Sequence, residues 1–184
     1  MNVLDTPLQD AKIIEPKVFG DDRGFFMETW NRAAFAQAGL PTDFVQDNHS
    51  RSGRGILRGL HYQIEHPQGK LVRVTRGSVL DVAVDLRRSS PTFGQWFAVE
   101  LNDTNHRMFW VPPGFAHGFY VQSEVADFVY KCTDIYAPAH ERCIRYDDPS
   151  LKIDWGLSPE DTPTLSAKDA EGAWFNDADV YEDL

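Results

Sequence analysis

Lys70-Leu71-Val72-Arg73-Val74-Thr75-Arg76-Gly77-Ser78-Val79-Leu80-Asp81-Val82-Ala83-Val84-Asp85-Leu86 alternates with a period of two on both sides of a glycine. That period belongs to extended chain, whose successive side chains point to opposite faces. In the second run Leu80, Val82, Val84 and Leu86 share one face. Val79, Asp81, Ala83 and Asp85 share the other, so two carboxylates point the same way. With Gly77 as the turn, the two runs predict an antiparallel meander. Working outward, further strands are expected over 95–101, 107–111, 118–122 and 127–133, parted by turn formers such as Asn102-Asp103-Thr104-Asn105. Strands this short and regular predict an all-β sandwich or small barrel. One helix is expected over residues 32–38, with Asn31 as its cap and Gly39 as its stop. After Pro149 the chain is acidic and rich in turn formers, which predicts short helical turns and irregular backbone.

The 184 residues suit a single domain spanning 1–184, with an acidic tail from about residue 171. Hydrophobic residues at 42% and aromatics at 12% supply an ordered core, and no repeat or low-complexity tract interrupts it. A formal charge of −10 argues against nucleic acid as a partner, because neutralising phosphates needs a basic face. An anionic ligand would therefore need a local cationic pocket. No basic, apolar leader opens the sequence and no stretch approaches a membrane span, so a cytoplasmic protein is expected. Cys132 and Cys143 are too few for a disulfide framework and lie in apolar, strand-like segments. Buried free thiols are expected, although a single bridge is compatible with the sequence.

Two histidines carry a second pattern. Gly55 is followed after five residues by His61, and Pro112-Pro113-Gly114-Phe115-Ala116-His117 gives a Pro-x-Gly-x-x-His run. This spacing resembles the two halves of the cupin signature, which in metal-binding members adds a second His and a Glu to the first half. Here Gln63 holds the second His position, and Pro67 and Gln68 fall in the Glu window. Lys70 lies where the spacing back from Gly77 would put a carboxylate. An ammonium beside two imidazoles repels a dication. His61, Lys70 and His117 thus read as a site without metal, suited to an anion or a developing oxyanion, with His61 as a candidate proton carrier.

Five further segments resemble one family within that superfamily. They are Asp22-Arg23-Gly24-Phe25-Phe26-Met27-Glu28, Gln46-Asp47-Asn48, Leu57-Arg58-Gly59-Leu60-His61-Tyr62-Gln63, the stretch 77–87, and Tyr130-Lys131-Cys132-Thr133-Asp134-Ile135-Tyr136. In this order they are similar to the dTDP-4-dehydrorhamnose 3,5-epimerase family, from about Val3 to Asp169. The resemblance implies a cupin jelly roll, no metal and no organic cofactor, and a homodimer acting on dTDP-4-dehydro-6-deoxy-D-glucose on the way to dTDP-L-rhamnose. Residues 171–184 carry no motif of the family.

The resemblance also implies roles. A 4-keto sugar has acidic C–H bonds at C3 and C5, because removing either proton gives an enolate delocalised onto the C4 oxygen. Inversion needs a base on one face and an acid on the other. By resemblance His61 is the base and Tyr130 the acid, which suits an imidazole titrating near neutrality and a phenol that keeps its proton. Asp169 resembles the carboxylate that orients the base, with Asp81 as a rival for that role. Lys70 would place positive charge at the C4 oxygen. The resemblance puts Arg23, Glu28, Gln46, Asn48, Arg58, His117, Glu141 and Lys168 around the nucleotide, with Tyr136 stacked on thymine. Tyr136 lies six residues beyond Tyr130, an even separation that keeps both on one face of an unbroken strand.

Each of these residues also has an ordinary structural reading. Tyr130 among Phe128, Val129 and Cys132 suits a core, and Arg23 and Arg58 suit a solvated surface. A metal-dependent cupin would use His61 and His117 but lacks further ligands. A sugar-nucleotide binding protein would need no opposed acid and base.

Overall fold

The computed structural model describes residues 1–158 and 160–184. Its first strands are β1 Asn2–Asp5, β2 Lys12–Glu15, β3 Val18–Asp21 and β4 Gly24–Met27. After helix α1, Arg32–Gln37, come β5 Gln46–Gly53, β6 Leu57–Gln63, β7 Lys70–Arg76 and β8 Ser78–Asp85. The remaining strands are β9 Trp96–Asn102, β10 Met108–Val111, β11 Phe115–Val121, β12 Val125–Cys132 and β13 Glu141–Cys143, and a one-turn helix α2 covers Ala167–Ala170.

Two antiparallel sheets face each other, ordered β1-β2-β10-β7-β12-β5 and β13-β6-β11-β8-β9. The expected meander is corrected here: β7 and β8 do not pair but belong to different sheets. Gly77 carries the chain from one to the other with φ +78, and a Cβ there would lie 2.0 Å from the Val125 carbonyl oxygen. Only glycine tolerates both the dihedral and the approach.

Between the sheets lie Val72, Val74, Phe109 and Phe128 from one side and Val79, Ala83, Leu101, Phe115 and Phe119 from the other. The opposite face of β8 is also apolar for a physical reason. Val82, Val84 and Leu86 pack with Leu60 and Tyr62 beneath Leu151, Trp155 and Tyr181. The C-terminal chain thus adds a third layer, each large side chain contributing about 1.5–3 kcal/mol on burial. The tail without a motif is pinned as well as packed: Tyr62 Oη donates to the Asp179 carbonyl at 2.7 Å, Tyr181 Oη to that of Gln63, and Arg142 pairs with Asp179 at 2.7 Å. Helix α1 follows its expected signals. Asn31 accepts from Ala33 and Ala34 N–H, and Phe35 plugs the outer face of the six-stranded sheet beside Ile14, Leu71 and Met108.

Two features stand apart. Asp85, fully buried, accepts from Arg87 Nε at 3.0 Å and Nη2 at 2.9 Å, from Ser90 Oγ at 2.6 Å and from Thr92 Oγ1 at 2.7 Å. Among the described residues strands β3 and β4 pair only with each other, and the hairpin holds Phe19, Phe25 and Phe26 at 53%, 60% and 70% exposure. Among the described residues no helix is long and apolar enough to cross a membrane. Both cysteines are free, but Cys143 is half-buried rather than buried as expected.

Candidate active site

Arg58 and His61 are three residues apart, so a regular strand would send them to opposite faces. A bulge removes the conflict. Opposite this stretch, His117 pairs with His61 and Phe119 with Arg58, so two residues of β6 face one of β11. Gly59 and Gly118 make the bulge possible, because a Cβ on Gly59, at φ +116, would sit 2.5 Å from Gly118 Cα. Leu60 and Tyr62 then point to the outer layer, while Arg58 Nε reaches across to Ser52 Oγ of the facing sheet at 3.0 Å.

His61 Nε2 contacts Asp169 Oδ1 of α2 directly. Asp169 is itself placed by the turn, its N–H donating to Ser166 Oγ at 3.1 Å. Burial pushes the Asp169 carboxyl up, but the His61 bond and charge, the Ser166 bond and the nearby Lys168 outweigh it and hold it below the ordinary carboxylate range. The rival is excluded as a partner of His61: Asp81 meets His117 Nε2 at 2.9 and 3.0 Å. That second pair is deeply buried, with Phe128 stacked on the imidazole at 6.1 Å.

Tyr130 comes from the other sheet, on the inward face of β12 beside Phe128. Burial, with help from Cys132, Glu141 and Tyr136 and against Arg58, pushes its phenol up to about 12. It remains a proton donor throughout the neutral range. Lys70 is buried at the start of β7 with Nζ 3.4 Å from the His61 carbonyl oxygen. Burial lowers its ammonium from the ordinary lysine value, partly offset by Cys132, Asp81 and Glu141.

Five of the residues expected at the nucleotide, Gln46, Asn48, Tyr136, Glu141 and Lys168, form one continuous chain, while Arg58 and His117 bond to Ser52 and Asp81 instead. Asn48 Nδ2 meets Cys132 Sγ at 3.6 Å and Gln46 Nε2 meets Asn48 Oδ1 at 3.1 Å. The Tyr136 N–H donates to Gln46 Oε1 at 2.9 Å, and its hydroxyl to Glu141 Oε2 at 2.6 Å. Lys168 closes the chain on Glu141. Tyr136 does not arrive there by strand parity, because β12 ends at Cys132; a loop delivers it.

Two expected residues are elsewhere. Arg23 sits at the tip of the exposed hairpin, 89% exposed and paired with Asp21 at 2.5 Å, and Glu28 accepts from Asn31 at 3.2 Å. Within one chain neither joins the cleft. Conversely, Cys143 lies against Asp169 at 3.8 Å, and burial together with that carboxylate pushes its thiol up to about 12. Nothing in the short, unpatterned β13 announced it. His61, Cys143 and Asp169 bring three metal-type ligand atoms within 4.8 Å, but the carboxylate is already engaged by His61 and faces Lys168.

Fold and cleft together define a cupin-type jelly roll whose facing sheets present an imidazole–carboxylate pair and a phenol. The family profile of dTDP-4-dehydrorhamnose 3,5-epimerase matches residues 5–177. The chain is 62% identical to the dTDP-4-dehydrorhamnose 3,5-epimerase of Pseudomonas aeruginosa, over 98% of this chain and 99% of that one. It superposes with TM-score 0.94 on dTDP-6-deoxy-D-glucose-3,5-epimerase of Legionella pneumophila in complex with dTDP-4-keto-L-rhamnose, at 51% identity and covering 100% and 98% of the two chains. A 3'-monoepimerase of Streptomyces bikiniensis in complex with dTDP-quinovose matches with TM-score 0.85 at 34% identity, over 92% and 85%. The chain belongs to the dTDP-4-dehydrorhamnose 3,5-epimerase family. It is an isomerase that epimerises C3 and C5 of a dTDP-linked 4-keto sugar.

Proposed function

We propose that the cleft converts dTDP-4-dehydro-6-deoxy-D-glucose into dTDP-4-dehydro-L-rhamnose by two enolate steps, in one domain that works in the cytoplasm. His61, through the ring nitrogen that Asp169 leaves free, removes the proton from C3 and then C5. Asp169 holds the tautomer and stabilises the imidazolium. Lys70 neutralises charge developing on the C4 oxygen, a contribution of about 3 kcal/mol for one such group. Tyr130 returns a proton from the opposite face. Arg58, His117, Gln46, Asn48, Glu141 and Lys168 line the nucleotide end and Tyr136 stacks on thymine. The proton carriers need no metal. The observation that carries this reading is the placement of an Asp169-paired His61 and a protonated Tyr130 on facing sheets.

Arg23 and Glu28 enter the reading through a second copy of the chain. The hairpin exposes three phenylalanines with a guanidinium at its tip, and burying them against a partner gives a homodimer in which Arg23 serves the neighbouring cleft.

Proton NMR of the 4-keto sugar nucleotide in deuterated water is the test. His61→Ala should abolish exchange at C3 and C5, a loss on the order of 10²–10⁴-fold. Tyr130→Phe should admit deuterium into unepimerised sugar faster than product forms. Exchange persisting in His61→Ala while vanishing in Tyr130→Phe would reverse the roles.

A further inference from the structure

Gln63 stands where the metal-binding pattern has its second histidine, two residues beyond His61, and it is almost fully buried. Its amide has found other work. Nε2 donates to the carbonyl oxygens of His66 at 2.7 Å and Ile135 at 3.2 Å, and Oε1 accepts from the Ala137 N–H at 2.8 Å. The orientation is unambiguous, because a flipped amide would set its oxygen against two carbonyls. These bonds tie the loop after β6 to the loop after β12, and they grip the second loop at the residue before Tyr136 and the residue after it.

The rest of Tyr136 is held independently. Its own N–H goes to Gln46 and its hydroxyl to Glu141, while half of the residue stays exposed. Gln68 and Thr133 bind the base of the loop through the Asp134 carbonyl and the Gly69 N–H, at 2.9 and 2.8 Å. Among the described residues Gln63 alone reaches both peptides flanking the ring, Gln46 reaching one of them. Behind it, Tyr181 donates to its carbonyl and Glu141 is its strand neighbour on β13. No other side chain of this length offers two donors and an acceptor without charge: Glu brings only acceptors to two carbonyls, and Met leaves all three backbone groups unpaired.

We propose that Gln63 is a positioning residue for nucleotide binding, which fixes the Tyr136 loop in the form that receives the nucleoside of a dTDP-sugar. The proposal rests on the reading that Tyr136 meets the base. The position that the metal-binding pattern gives to a ligand here holds a loop.

The test compares Gln63→Met, Gln63→His, Tyr136→Ala and the Gln63→Met/Tyr136→Ala double variant, each checked by circular dichroism. Calorimetry with dTDP and steady-state kinetics are the readouts. Gln63→Met should weaken dTDP about tenfold and raise KM by more than it lowers kcat, since two or more neutral hydrogen bonds are lost. The double variant should bind dTDP no worse than Tyr136→Ala alone, because both act through one ring. Gln63→His, which keeps one donor, should fall between wild type and Gln63→Met. Wild-type dTDP affinity in Gln63→Met, or additive losses in the double variant, would overturn the proposal while leaving Tyr136 in place. Unchanged affinity in Tyr136→Ala would instead sink the reading beneath it. Should the Gln63 variants not fold, hydrogen exchange on the wild type decides. The Ala137 amide must be protected and gain protection with dTDP, and exchange at the rate of a free loop refutes the proposal.

Discussion

Asp169 pairs with His61 across 108 positions of sequence and engages its Nε2, so Nδ1 lies outside that bond. The carboxylate stays ionised below the ordinary carboxylate range, so its hold on the imidazole persists into mild acid. Asp169→Asn should keep the fold but lower kcat on the order of 10²–10⁴-fold, because the amide selects the wrong tautomer. Asp81→Asn should leave C3 and C5 exchange intact, since Asp81 serves His117. Equal losses in the two variants would undo the assignment.

The pH profile should separate Lys70 from Tyr130. Burial lowers the Lys70 ammonium and raises the Tyr130 phenol to about 12. Rising pH therefore removes the Lys70 charge before it removes the Tyr130 proton. The kcat profile should fall at an alkaline limb below the ordinary lysine value of 10.5, and Lys70→Met should lack that limb while running about 100-fold slower. An alkaline limb that survives in Lys70→Met would point to another group.

Arg58→Ala tests the cationic end of the cleft in a protein of charge −10. Loss of charge-assisted hydrogen bonds to a diphosphate costs about 1.5–3 kcal/mol. Calorimetry should record that loss with dTDP alone, and wild-type affinity would remove Arg58 from the pocket.

Phe25→Asp/Phe26→Asp should yield a monomer by light scattering, where the wild type should give about twice the 20.9 kDa chain. If Arg23 serves the neighbour, mixing an Arg23→Ala chain with a His61→Ala chain should restore turnover, because the second chain's hairpin completes the first chain's cleft. A wild-type monomer would refute the dimer outright.

Asp85→Asn probes stability rather than catalysis. Burial would raise this carboxyl, but bonds from Arg87, Ser90 and Thr92 hold it below its ordinary value. A depressed carboxylate contributes stability above its unfolded pKa of about 3.9, lost as pH falls through the folded value. The variant should unfold about 3–5 kcal/mol more easily at pH 7. Its stability should also vary less with pH below about 4, and denaturant titration across acid pH measures both effects.

Much of this is legible in the sequence alone. The alternation of Val79 to Leu86 assigned both faces of β8 correctly, and Asn31 marked the start of α1. Gly77 misleads as a hairpin turn because a crossing between sheets also turns at glycine; the contact with Val125 decides, and it lies far along the chain. The shared face of Arg58 and His61 was hidden for a different reason. Strand parity forbids it, and only the Gly59–Gly118 approach permits the bulge. Tyr136 reached the cleft through loop hydrogen bonds that have no period to read. Tyr181 carried no signal at all, since one aromatic in an acidic tail has no pattern around it.

The third layer has a consequence for synthesis on the ribosome. His61 leaves the exit tunnel early, and its carboxylate follows 108 residues later, with Tyr181 later still. A nascent chain interrupted between them carries an imidazole without its tautomer lock and a bare apolar sheet face. The face it leaves open, with Leu60, Tyr62, Val82 and Val84, is apolar surface of the kind that makes a partly folded chain prone to aggregate.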